Sequence, residues 1–352
     1  MNRHEVDFNY FSQEHLLSAG CFDMPLIIDV VEKTLLEFEQ GSIMFPDKIV
    51  QIFDQVTQAR INCLPATMLN EKICGMKWVS VFPENPRKYD MQNLSAIFVL
   101  SEIKHGFPVA VMDGTLASNM RVGAVGAVAA KYLARQDSST IGFIGAGEQA
   151  KMHLIAMKVA RPSLRECRVS ALSAAEEQEF IDQMSPILPD MEFVAADGHA
   201  RRAMQDADIL VTATSAQAPL LKADWVKPGA FYSHVGGWED EYAVVEQSDK
   251  IVCDDWQTVT HRTQTLSRMF KQGLIGNHDL HADLHQLVSG DKPGRESEDE
   301  RIYFNAVGLS FLDVAIALTM YRRARAANVG QMLELQHEMI FEHRDIAKRV
   351  RL

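Results

Sequence analysis

The 352-residue chain is short of the features that mark several common classes of protein. Cysteine is scarce and scattered: Cys21, Cys63, Cys74, Cys167 and Cys253 never fall in a Cys-x-x-Cys spacing. That excludes a disulfide framework and a cysteine zinc motif, and fits reduced thiols in a cytoplasmic protein. No uncharged apolar run approaches the ~18 residues that a spanning helix needs, so no membrane partner is expected. The N-terminus lacks the basic–apolar–small pattern of a secretory signal. Basic residues are outnumbered, 35 Lys and Arg against 47 Asp and Glu. The formal charge of −12 argues against a general binder of nucleic acid or of anionic membranes. Internal repeats and low-complexity segments are missing as well. What is present, 47% hydrophobic and 23% charged residues, suits a globular protein long enough for two domains.

Against that background one stretch stands out. Thr140 to Ala150 reads Thr-Ile-Gly-Phe-Ile-Gly-Ala-Gly-Glu-Gln-Ala, a short apolar strand entering Gly-x-Gly-x-x-Ala and then a helix. In this arrangement a backbone turn cradles a dinucleotide pyrophosphate. Gly145 permits the tight turn, Gly147 lets the backbone approach the phosphates, and Ala150 lets helix and strand pack closely. The helix N-terminus adds partial positive charge. Gly145, Ala146, Gly147, Glu148 and Gln149 are therefore the first candidate cofactor contacts.

The pattern is weak alone and gains weight from the segments C-terminal to it. Helices are expected at Gln149–Arg161, Ala174–Leu188 and His199–Ala207. Between and after them come apolar strands at Cys167–Ser173, Glu192–Ala196, Asp208–Ser215, Ala230–Val235, Lys250–Asp254 and Arg301–Ala306. Such alternation implies right-handed βαβ units and a parallel sheet. The expected class is α/β, with a Rossmann-type NAD(P)-binding domain at 136–308. The flanking segments 1–135 and 309–352 form a discontinuous α+β domain for substrate binding and dimerisation. Within it, Ile97–Leu100 and Pro108–Met112 read as an antiparallel pair about the turn Lys104-His-Gly106. Arg121–Arg135 reads as a helix of small residues at the seam between domains, and Phe311–Ala327 as a long helix crossing back. The charged end, 342–352, reads as a solvated helical tail.

Cofactor choice stays open between NAD and NADP. The end of the second strand, Ser170-Ala171-Leu172-Ser173, has no acid to hold ribose hydroxyls and no arginine to hold a 2′-phosphate. Ala171 and Ser173 are candidate contacts there, and Thr212 and Thr214 at the end of the fourth strand. His278, His281 and His285 are spaced to share one helix face, but the better reading is a polar face with no metal.

Several ordered motifs now point to a family. They are Gly75-Met-Lys77-Trp78, Asp113-Gly-Thr115, Asn119-Met-Arg121-Val-Gly123, Gly145-Ala-Gly147-Glu-Gln149, Val235-Gly-Gly237 and Ala306-Val-Gly308. Over nearly its whole length the chain resembles the ornithine cyclodeaminase/μ-crystallin family. Asn85-Pro-Arg87-Lys88, Asp254-Asp-Trp256, His281-Ala-Asp-Leu284 and Val288–Arg295 resemble its diaminopropionate-forming, opine-cleaving branch of siderophore pathways. The resemblance implies a homodimer built through the non-nucleotide domain, a bound nicotinamide cofactor that Val235 and Gly308 help to line, and an amino-acid or opine substrate.

By the same resemblance Lys77 and Arg121 hold the substrate carboxylate, with Lys48 as a further cation. A planar guanidinium grips a carboxylate bidentately, and a lysine adds a point charge. Arg121 at the start of a helix is badly placed for the dipole, which favours another purpose. Lys77 in an apolar strand would be costly if unpaired. Arg87 and Lys88 are candidates for a further substrate carboxylate, with a solvated charge pair as the alternative. Ornithine-cyclising members carry an aspartate after the Gly-Gly, where Trp238 stands here. Glu239 is the preferred acid/base, with Asp240 and His234 as rivals and a solvated acidic loop as the alternative. The resulting expectation is an NAD(P)-dependent oxidoreductase acting on a C–N bond. A cyclodeaminase-type lyase and a non-catalytic μ-crystallin-type binder are the alternatives.

Overall fold

The computed structural model describes residues 5–337 together with 348 and 350, so the expected helical tail falls almost wholly outside the described residues. Contacts divide the chain into two units: Met1–Phe22, Ser42–Leu116 and Asp313–Leu352 in one, Asp23–Gly41 and Ala117–Leu312 in the other.

The first unit is built on a mixed sheet. Its strands run in the order Gln331–Gln336, Val6–Phe11, Pro108–Asp113, Leu94–Glu102, Ile73–Val81, Arg60–Met68 and Ile43–Met44, with Ile49–Ile52 also pairing Arg60–Met68. The pair expected around Lys104–Gly106 is present: Leu94–Glu102 and Pro108–Asp113 lie antiparallel. Alternation of burial gives the sheet one covered face, on which Ile73, Gly75, Lys77 and Val79 of one strand point the same way. At Gly75 an added Cβ would fall 2.8 Å from Leu100 Cδ2 and 3.2 Å from Val314 Cγ1. The missing side chain is what lets the helix residues around Val314 approach the strand.

The second unit is built on a sheet of eight parallel strands, ordered Glu192–Ala195, Glu166–Ser170, Thr140–Ile144, Ile209–Thr212, Phe231–His234, Ile302–Asn305, Lys250–Cys253 and Ala282–Asp283. The fingerprint strand lies near the centre. The chain winds outward from it in one direction and then, starting at Ile209–Thr212, in the other; this is the switch point of a Rossmann-type fold. Nearly every residue of the central strands is buried, which explains their unbroken apolar runs. No helix among the described residues is long and apolar enough to cross a membrane.

Four expectations change. Helix Met24–Glu39 groups with the second unit, where it packs on helices Leu284–Ser289 and Glu148–Ala160. The small-residue helix begins earlier, at Thr115, so Arg121 lies in its second turn and not at its N-terminus. The second nucleotide-unit strand stops at Ser170, because the Ala171 N–H turns to the Glu177 carboxylate instead of a ladder partner. His278 lies in a turn and His281 directly precedes the strand Ala282–Asp283, so of the three only His285 is helical.

The small residues serve a close approach inside the second unit. A Cβ at Gly123 would fall 2.6 Å from the Met152 carbonyl oxygen, and one at Gly126 would meet the His153 ring at 3.1 Å. The buried His153 imidazole hydrogen-bonds the Gln149 carbonyl through Nδ1 at 2.8 Å, and burial lowers its pKa to about 4. An unfolded imidazole titrates near ~6.5, so between those values the unfolded chain binds more protons and stability falls as pH drops. Urea unfolding at about pH 7 and about pH 5 should show His153 contributing ~2 kcal/mol of the loss. His153→Gln should flatten the slope by that amount; an unchanged slope would refute the assignment.

Candidate active site

At the fingerprint, Gly145 has φ +106°, and a Cβ there would strike the Ala213 carbonyl oxygen at 2.5 Å. Gly147 caps helix Glu148–Ala160 without a side-chain hydrogen bond, and nothing lies within 4 Å of where its Cβ would be. The backbone N–H groups of Glu148, Gln149 and Ala150 have no partner among the described residues. Open space over a bare helix N-terminus with three available donors fits a pyrophosphate. Glu148 carries the wrong sign for that neighbour but is paired with Lys151 at 2.8 Å. Gln149 turns inward and donates to Asn119 Oδ1 at 2.7 Å.

Next to this turn, Glu177 is fully buried and accepts from the backbone N–H of Ala171, Asp197 and Gly198 at 3.0, 2.8 and 2.8 Å. It braces the loop on which Ala171 and Ser173 sit. Ser173 is the N-cap of Ala174–Met184, accepting from Glu176 N.

The acidic stretch after Trp238 is not a solvated loop. Glu239 and Asp240 are both fully buried. Glu239 Oε1 accepts from Thr214 N and Thr214 Oγ1, each at 2.6 Å, and Oε2 from Thr212 Oγ1 at 2.9 Å and Gly236 N at 2.7 Å. With four donors committed, Glu239 is built to hold loops and not to exchange a proton with a substrate. Thr212 and Thr214 spend their hydroxyls on the same carboxylate, which leaves them no hydroxyl proton for a cofactor. Asp240 accepts from Thr265 Oγ1 at 2.6 Å and Tyr303 OH at 3.0 Å, and burial raises its pKa. His234 is equally buried; its Nδ1 meets Asn305 Oδ1 at 2.8 Å, while Nε2 lies 3.7 Å from Glu239 and 3.6 Å from Asp240.

Beside them, Gln264 was missed by sequence reasoning. Its Nε2 donates to the carbonyls of Gly236 at 2.8 Å, Ala306 at 3.1 Å and Val235 at 3.4 Å, and its Oε1 accepts from Asn305. Asp254, quoted only as part of a motif, accepts from the N–H of Val307 at 2.9 Å and Gly308 at 2.7 Å. Gly308 has φ +83°, and a Cβ there would fall 2.7 Å from Arg121 Nη1. The bare backbone thus lets the buried guanidinium lie against the loop after Ile302–Asn305.

In the first unit Lys77 is 3% exposed and its Nζ donates to Asp313 Oδ1 at 2.8 Å. Asp313 was not foreseen, although an acid in the apolar run Phe311–Met320 is the natural counterpart of a lysine in an apolar strand. Lys48 lies half-buried in the loop between Ile43–Met44 and Ile49–Ile52. Arg87 is exposed on the short helix Asn85–Tyr89, where it and Lys88 share Glu84.

Comparison with known proteins places this arrangement. The model of the ornithine cyclodeaminase/mu-crystallin family matches residues 18–328. The chain belongs to that family. It is 31% identical to N-((2S)-2-amino-2-carboxyethyl)-L-glutamate dehydrogenase of Staphylococcus aureus, over 95% of this chain and 100% of that protein. Among solved structures, Thermococcus litoralis Δ1-pyrroline-2-carboxylate reductase with NADH and L-proline superposes with a TM-score of 0.86. That match has 31% identity and covers 92% of this chain and 99% of the other. An archaeal alanine dehydrogenase dimer with bound NAD gives 0.85 at 30% identity, covering 94% and 100%. The family fold is therefore the Rossmann-type fold described above.

Glu239→Gln tests the bracing role. An amide NH2 would face donors that now meet a carboxylate oxygen, at a cost of roughly 2–3 kcal/mol in urea unfolding. Unchanged stability with lost turnover would instead restore Glu239 as the acid/base.

Proposed function

We propose that this family member is an NAD(P)-dependent oxidoreductase acting by hydride transfer on the C–N bond of an amino acid or opine-type substrate, or on the corresponding imine. The observation that carries the reading is the open, donor-rich turn at Gly145–Gln149, at the carboxyl end of the same parallel sheet as the Gly308 loop against which Arg121 lies. The dehydrogenases and reductases among its relatives support it.

The turn and the loops ending at Ala171, Val235 and Gly308 would hold the dinucleotide. When bound, its nicotinamide accepts or supplies the hydride. Arg121 receives the carboxylate beside the reacting carbon through a bidentate grip, which fixes the Cα–H and makes transfer an oriented step. Lys77, steadied by Asp313, is the proposed proton-holding group at Nζ, in place of Glu239. Oxidation of the amine leaves an imine, and water adding to it releases a 2-oxo acid and an amine. An N-(2-amino-2-carboxyethyl)-L-glutamate-like substrate would give 2-oxoglutarate and 2,3-diaminopropionate. The first unit serves substrate binding and homodimer formation, and the half-exposed apolar side chains Met76, Trp78, Ile97 and Val111 on its uncovered sheet face support the latter.

Amino acids, opines and 2-oxo acid/amine pairs assayed with NAD and NADP should change nicotinamide absorbance stoichiometrically. Ammonia release without net absorbance change would make the chain a lyase. Arg121→Ala should raise KM for substrate roughly 10- to 100-fold with dinucleotide affinity nearly intact. Gly147→Val should abolish dinucleotide binding by filling the space over the turn; retained affinity would refute the assigned cradle.

A further inference from the structure

Trp238 and the cation that covers it have no part in the reaction proposed so far. Trp238 follows Gly236-Gly237 and opens the short strand Trp238–Asp240. Arg268, on helix Thr265–Lys271, places its Cζ 4.6 Å from the centroid of the Trp238 ring. Its Nε donates to the Thr263 carbonyl at 3.0 Å, while neither terminal nitrogen has a hydrogen bond and no carboxylate pairs with it among the described residues. The Trp238 Nε1–H is buried and also has no hydrogen-bond partner among the described residues.

Two neighbouring side chains thus carry unmatched donors of the same kind. A guanidinium stacked on an indole keeps its edge N–H groups directed outward, and the stack holds the plane ready for a planar anion. A buried indole N–H can only donate, and leaving it unmatched is costly. The described residues supply no acceptor to the terminal nitrogens of Arg268 or to the Trp238 Nε1–H. Both sit beside the loops already assigned to the site. Gln264, one turn before Arg268, grips the carbonyls of Gly236 and Ala306. A Cβ on Gly236 would touch the Thr214 carbonyl at 2.5 Å.

We infer that Arg268, stacked on Trp238 and joined by the Trp238 Nε1–H, is the receptor for a second carboxylate of the substrate. The site then selects dicarboxylic or opine-type amino acids over monocarboxylic ones. This rests on the function proposed above, because it takes Arg121 as the receptor for the first carboxylate. The same cation repels a distal ammonium, so diamino acids such as ornithine are disfavoured.

Calorimetric titration of the full chain, with and without NADH, compares 2-oxoglutarate with the monocarboxylate 2-oxobutyrate. The wild type should bind 2-oxoglutarate roughly tenfold or more tightly than 2-oxobutyrate. Arg268→Ala should remove that preference while leaving 2-oxobutyrate unchanged. Arg268→Lys should restore part of it, and Trp238→Phe, which deletes only the N–H and part of the stack, should weaken 2-oxoglutarate severalfold. No preference in the wild type, or equal loss of both ligands in Arg268→Ala, would overturn the receptor and leave Arg268 as a cover for the indole. An Arg268-dependent preference in a protein that transfers no hydride would sink the proposed reaction and keep the receptor.

Discussion

Backbone groups beyond the carboxyl ends of a parallel sheet have no ladder partner, and the groups that satisfy them decide the shape of everything above the strands. Here buried side chains do so, most of them tying two segments together. Glu177 joins Ala171 to Asp197 and Gly198; Glu239 joins Thr214 to Gly236; Gln264 joins Val235 and Gly236 to Ala306; Asp254 fixes Val307 and Gly308. Three are carboxylates, which accept several N–H bonds at once and make each one charge-assisted. The loops are therefore set before any ligand arrives, the condition under which binding energy is not spent on ordering them. Gly147, by contrast, has no side chain over it, and its helix keeps donors for an anion.

The two cations singled out for the substrate are physically unlike each other. Lys77 and Asp313 form a pair that is almost wholly buried, so the pair adds little net positive field, and removing either partner would strand the other. A lysine so held is better suited to keeping a proton in place than to attracting an anion over distance. Arg121 lies along the bare backbone of Gly308, in the unit that carries the nucleotide-binding turn. The planar guanidinium is the group of the two whose geometry suits a carboxylate. In the proposed reaction, receptor and proton holder would thus fall to different residue types for reasons of shape and charge.

Much of this was legible in the sequence, and the parts that were not have identifiable causes. The fingerprint turn and the central strands were clear because a fully buried parallel strand must be apolar throughout. The reach of the small-residue helix was misjudged because Thr115–Met120 is polar enough to read as a loop, and its early start moves Arg121 off the N-terminus. The acids after Gly236-Gly237 read as an acid/base or a solvated loop, because charge in a loop usually serves one or the other. Only the three-dimensional arrangement brings four donors onto Glu239. His278–His285 matched a helical period by coincidence, since Gly276-Asn277 ahead of it favours a turn. Asp313 and Gln264 act across 236 and 28 to 42 residues of sequence, beyond any local pattern.

The buried cluster below these loops adds a last constraint. His234 presents Nε2 to two carboxylates at 3.7 and 3.6 Å in a region without solvent access. Its Nδ1 is committed to Asn305 Oδ1, which fixes a proton there, because the Asn305 amide donates to Gln264 Oε1. Two carboxylates facing a bare imidazole nitrogen would repel it, so the cluster depends on its other hydrogen bonds, Thr265 and Tyr303 on Asp240 and four donors on Glu239. Burial already pushes the Asp240 carboxyl up. Glu239, the other carboxylate facing the imidazole, accepts from Thr212, Thr214 and Gly236 and so holds the loops above the cluster.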